Sequence, residues 1–107
     1  MKVIVLCGST RFKKEFEEIN KKLSLEGNIV ISLPFFEKSS EEKLTVGEKK
    51  ILTAVHMAKI DICDEIYVID GWIKQVGHYV GRATEEEIDY ARSIGKRVRH
   101  WSTDEIG

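Results

Sequence analysis

The chain has 107 residues, 42% hydrophobic and 33% charged, with a net charge of -1. These proportions suit a single globular domain over residues 1–107 and supply no bulk basic field to gather a nucleic-acid polymer. Cys7 and Cys63 lie far apart and form no CxxC pair, so zinc and redox motifs are absent.

The N-terminal run MKVIVLC is too short for a signal peptide or a membrane span, so a reducing cytoplasm and no membrane partner are expected. Lys2–Cys7 is a continuous apolar, β-branched run, the pattern of a strand covered on both faces, with Cys7 as a buried thiol. Phe12, Phe16, Ile19 and Leu23 then recur at helical spacing. They predict a first helix from about Arg11 to Glu26, stopped by Gly27. Asn28–Leu33 is a second strand, ended by Pro34. Ser39 and Glu42 have the spacing of a capping box. Ile51, Val55, Ala58 and Ile62 predict the buried face of a second helix, which Gly47 kinks or delays. Glu65–Asp70 is a third strand and Gly71–Val80 a loop whose tail can extend. A third helix follows, Gly95 stops it, and Lys96–Trp101 is a fourth strand. Alternating strands and helices predict an α/β domain, Rossmann- or flavodoxin-like, with a parallel sheet of about four strands in the order 2-1-3-4 flanked by helices.

Sites in such sheets lie beyond the carboxyl ends of the strands. Gly8–Arg11, the stretch after Leu33, and Asp70–Gly81 converge there. In the first of these, Gly8 permits close backbone approach and Ser9 or Thr10 can cap the helix. Arg11, Lys13 and Lys14 place positive charge in the first turn, where it opposes the helix dipole and a bound phosphate would offset it. An ordinary capped turn with solvated lysines is the plainer reading. His56 and Lys59 lie one turn apart, off the apolar stripe, and read first as an exposed polar face. Asp70 stands at the usual address of a site carboxylate, or simply begins a turn before Gly71. Trp72, His78 and Tyr79 can stack on a base or cover the core edge.

Glu87 is the residue out of place. At 100° per residue, Ala83, Tyr90, Ala91 and Ile94 cluster on one face of the third helix, and Glu87 falls among them. Glu85, Glu86, Asp89 and Arg92 point away. A carboxylate aimed at the body of a protein is paired, metal-bound or chemically employed, because a bare buried charge costs several kcal/mol or shifts its pKa. A structural hydrogen-bond network at the rim is the alternative.

Four stretches in order, VIVLCGSTRF, HMAKIDICDEIYVID, GHYVGRATEEEIDYA and GKRV, span most of the chain. Together they resemble the nucleoside 2-deoxyribosyltransferase-like superfamily, closest to its small bacterial and phage branch. That superfamily has a glutamate in a pattern like E-(L/I)-x-(Y/R)-A, which Glu87-Ile88-Asp89-Tyr90-Ala91 matches. The resemblance implies that Glu87 attacks C1′ of a nucleoside or nucleoside 5′-monophosphate. The base leaves, and water or a second base takes the sugar from a glycosyl-enzyme ester. Gly8, Ser9, Thr10 and Arg11 would hold the sugar's 5′ end, with Gly77 and Gly81 also at the substrate. His56 stands where relatives carry an aspartate, and Gly81 with Arg82 where they carry an acidic residue. The acid is then His56, Asp70 or Tyr79, a histidine being able to act near neutral pH. The resemblance also implies a homodimer or larger homo-oligomer. No cofactor and no metal is expected. A nucleotide sensor without turnover, or a partner-binding module, stands as the other reading of the same scaffold.

Overall fold

The computed structural model describes residues 1–36 and 44–106. In chain order these are β1 Val3–Gly8, a 3-10 turn Thr10–Phe12, α1 Lys13–Leu25, β2 Ile29–Ile31, α2 Val46–Ile62, β3 Glu65–Ile69, β4 Trp72–Ile73, β5 Gly77–His78, α3 Arg82–Ser93, β6 Arg97–His100 and a π-helical turn Ser102–Ile106. The main sheet runs β2-β1-β3-β6, with every pairing parallel. This is the expected 2-1-3-4 order of the four main strands. The stretch read as a loop holds a short antiparallel hairpin, β4 with β5. No helix among the described residues is long and apolar enough to cross a membrane.

Strand parity divides the core into two layers. Ile4 and Leu6 of β1, with Tyr67 and Ile69 of β3, meet Phe12, Phe16, Ile19 and Leu23 on one side. Val5 and Cys7, with Ile66 and Val68, meet Ile60 of α2 and Ile88 and Ala91 of α3 on the other. Both faces of β1 and β3 are therefore covered, which is why these strands read as unbroken apolar runs. The start of β3 is polar nonetheless. Glu65 is buried there and receives a hydrogen bond from Arg99 Nη1 at 3.2 Å, with Lys2 and Arg97 each 3.8 Å away.

The second helix departs from its predicted face. Ile51, Val55 and Ile62 are exposed, as is Ala58, while His56 and Ile60 are buried. The face towards the sheet runs through Leu52, His56, Lys59 and Ile60, about a third of a turn from the apolar stripe. The end of the helix is tied down: Asp64 N donates to Val3 O and Asp64 Oδ2 accepts from Val3 N. Those bonds continue the β1–β3 pairing and fix where the chain leaves α2. Its start is also not where Gly47 was expected to delay it. Thr45 and Glu48 form a reciprocal capping box, and Gly47 lies in the first turn. The Ser39–Glu42 box falls outside the described residues.

In α3 the buried residues are Thr84, Ile88 and Ala91, whereas Ala83 and Ile94 are exposed. The true face is therefore shifted from the predicted one, and Glu87 lies on its edge rather than at its centre. Tyr90 reaches back to donate to Asp61, fastening α3 to α2.

Candidate active site

A cavity of about 210 Å³ opens beyond the ends of β1 and β2, between α2 and the start of α3. Leu33, Pro34, Phe35 and Leu52 form an apolar wall, and the polar residues that line it are Thr10, Thr53, His56, Lys59 and Glu87. This is below the range of roughly 300–1,000 Å³ usual for small-molecule pockets. It suits one ring system, not a dinucleotide.

Glu87 faces inward with its side chain only 15% exposed. Burial raises its pKa to about 7. A hydrogen bond with Cys7 opposes that rise, Glu86 adds to it, and Lys59 opposes it. His56 lies 3.7 Å away through Nε2, yet the contact is not an ion pair at neutral pH. Burial, helped by the charge of Lys59, lowers His56 to about 4 and leaves the imidazole neutral. The expectation that His56 acts as an acid near neutral pH is therefore corrected by its burial. Cys7 Sγ lies 3.4 Å from the same Nε2. Burial raises that thiol well above its ordinary value, and the Glu87 carboxylate adds to the effect. Lys59 buries part of its stem and donates from Nζ to Ser32 O at 3.1 Å.

The structure thus gathers Thr10, His56 and Glu87, brings Lys59 to the cavity with His56 where an exposed polar face was the first reading, and adds Cys7. Cys7 was legible as a buried thiol but not as a site group. The usable signal was parity, since Cys7 shares the face of Val5 at the end of β1.

The other expected residues stand elsewhere. Ser9 Oγ accepts from Arg11 N at 3.3 Å, a local cap. Arg11 stacks its guanidinium 4.8 Å above the Tyr79 ring, a cation–π contact, while Lys13 and Lys14 are solvated on α1. The basic first turn therefore does not face the cavity. Tyr79 packs against Phe12 with ring centroids 6.4 Å apart and lines no part of the cavity. Gly77 turns the β4–β5 hairpin at φ +90°, and Gly81 caps α3. Gly8 fits close to Ile69, not to the cavity. Arg82 is 3.6 Å from Glu86, both exposed, and leaves Glu87 alone.

Asp70 is the clearest correction. Its carboxylate accepts from Ser102 N at 2.8 Å and from the Ser102 hydroxyl at 2.6 Å, with His100 Nδ1 at 3.4 Å. Both oxygens serve to dock the C-terminal turn, and Asp70 does not line the cavity. Asp70→Ala is expected to lower the unfolding free energy by roughly 2–4 kcal/mol, by stranding two donors. Chemical denaturation reads this, and the geometry at Glu87 is expected to survive.

No curated protein matches the chain. One protein-family profile does, over residues 5–100, an interval holding Cys7, Thr10, His56, Lys59 and Glu87. The chain belongs to the family described as Domain of unknown function (DUF4406).

Proposed function

We propose that the chain cleaves or transfers the N-glycosidic bond of a nucleoside or nucleoside 5′-monophosphate, with Glu87 as nucleophile. One observation carries the reading. Glu87 is a largely buried carboxylate on a ring-sized cavity, and its nearest basic group, His56, is neutral. The nearby guanidinium of Arg82 pairs with Glu86, not with Glu87.

In the reaction, a Glu87 oxygen forms a bond to C1′ as the C1′–N bond breaks. The electron pair leaves on the base, which takes up a proton from the Lys59 ammonium, itself reprotonated from water. Lys59 lines the same cavity and supplies an N–H donor to the departing base. Water or an acceptor base then attacks C1′, displaces the Glu87 carboxylate and releases the sugar. The apolar wall of Leu33, Pro34 and Phe35 covers the base, and Thr10 meets the sugar.

The test is chromatography of free base after incubation with nucleosides and 5′-monophosphates, with and without an acceptor base. Wild-type protein is expected to release base and Glu87→Ala to release none. Equal release by both would sink the mechanism. A second reading, nucleotide binding without turnover, is favoured by the placement of Asp70 and Tyr79 away from the cavity. It predicts saturable binding by calorimetry and no release.

The reading includes a homo-oligomer. Ile51, Val55, Ala58 and Ile62 follow the 4-3-4 spacing of a helix-pairing seam, and all four are exposed. Two copies of α2 across a two-fold axis would cover that seam. Sedimentation is expected to show a species larger than a monomer, and Val55→Glu to dissociate it. A monomeric wild type refutes this part.

A further inference from the structure

We propose that Cys7, His56 and Glu87 form a binding site for a zinc-type divalent metal, open to the cavity. Three elements deliver the groups: β1 supplies Cys7, α2 supplies His56 and α3 supplies Glu87. Their thiol, imidazole and carboxylate ligand atoms all lie within 4.8 Å of one another.

The geometry separates a chelate from a catalytic relay. In a relay the carboxylate holds one imidazole nitrogen and the nucleophile uses the other. Here Cys7 and Glu87 both address Nε2, at 3.4 and 3.7 Å. Two donors that gather at the same ring nitrogen, with all three ligand atoms within 4.8 Å of one another, are arranged as around a shared metal. Metal–ligand bonds of about 2.0–2.3 Å around a tetrahedron set ligand atoms about 3.3–3.7 Å apart. The two measured separations are of that size. A thiolate, a neutral imidazole and a carboxylate form a borderline-soft set suited to zinc.

Charge agrees with this. Cys7 is fully buried and His56 nearly so. Two anions there would be costly to bury, but a dication cancels both. Binding releases the thiol proton and any proton on Glu87, so affinity rises with pH. The fourth position faces the cavity, because His56 and Glu87 both line it. Reading the sequence alone led to no metal, since the three residues are 49 and 31 positions apart and match no ligand motif. Metal at Glu87 also occupies the proposed nucleophile, so the site would silence glycosidic cleavage. Only that silencing rests on the functional reading above.

The test is titration of chelator-dialysed, reduced protein with Co²⁺ alone. One equivalent is expected to produce a thiolate-to-cobalt charge-transfer band, which Zn²⁺ abolishes by displacement. Cys63→Ala should keep the band and Cys7→Ser should lose it. Because Cys7→Ser replaces a core residue, Glu87→Gln gives a second reading from the edge of the buried face. It is expected to weaken Co²⁺ affinity at least about tenfold. A folded wild type without the band overturns the site, as does unchanged affinity in Glu87→Gln. These readouts use no substrate, so failed base release and a failed metal site are distinguishable. Where wild-type protein does release base, Zn²⁺ should stop it and a chelator restore it. Release undiminished at saturating Zn²⁺ overturns the shared site.

Discussion

Glu87→Gln is expected to lose base release by at least about a thousandfold, as removal of a covalent nucleophile does, and to become more stable than the wild type above pH 7. The amide keeps the shape of the side chain but cannot form the glycosyl ester. The stability gain follows from burial. In the metal-free protein Glu87 has a folded pKa of about 7 against an ordinary value of 4.5. Below pH 4.5 the carboxyl is protonated in both states, and wild type and variant differ little. As pH rises from 4.5 to 7, the unfolded chain gives up this proton while the folded protein retains it, so wild-type stability falls. Above pH 7 the loss is complete, at roughly 3 kcal/mol. Gln has no such loss.

His56 acts in the opposite sense. Its folded pKa of about 4 lies below the ordinary 6.5, so the unfolded state binds the extra proton. Its contribution is present above pH 6.5 and disappears as pH falls through 4. Wild type and variant share it, so it cancels in their difference. Denaturant titrations across pH 4–9 should therefore give a difference curve that is flat below about pH 4.5, rises up to pH 7 and is level above it. A flat difference throughout would mean that Glu87 is not desolvated. Base release by the wild type should rise through pH 7 as Glu87 ionises.

Gly8→Ala is expected to cost roughly 2–4 kcal/mol, from combined backbone strain and overpacking. Gly8 sits at φ +152°, and an added Cβ would lie 2.8 Å from Ile69 O and 3.2 Å from both Ile69 Cβ and Phe16 Cε2. The closest obstacle is backbone of the paired strand β3, which cannot swing aside. The distortion falls where β1 enters the turn that carries Thr10, so cavity and core suffer together. Gly27→Ala is the control. Gly27 has φ +92° but nothing within 4 Å of its added Cβ, so only the conformational cost of about 1 kcal/mol remains. Midpoints of urea unfolding at constant slope measure both. Equal costs would show that φ alone matters at Gly8.

Much of the scaffold was legible because local pattern and final burial coincide in it. The apolar run of β1 needs cover on both faces wherever it lies. Phe16, Ile19 and Leu23 fall on one side of α1 and are buried as a set with Phe12 of the turn before it. Glu87 was legible for a related reason. It neighbours Ile88 and Ala91 on the helix, so burying those two draws the carboxylate inward even though the predicted face was offset.

The remainder came from contacts between residues far apart in the chain. Helical spacing reports which side of α2 is apolar but not which side meets the sheet. Packing of α2 against β1 and α3 settled that, with His56 turned inward and Ile51, Val55 and Ile62 left outside. Cys7 and His56 meet across 49 positions of sequence, and Asp70 meets Ser102 across 32. Composition and periodicity specify strands, helices and their apolar sides, because those depend on neighbours within a few residues. Which polar groups share a cavity depends on how rigid elements are rotated against one another. That rotation is set by a few long-range hydrogen bonds and by packing, which no local pattern encodes.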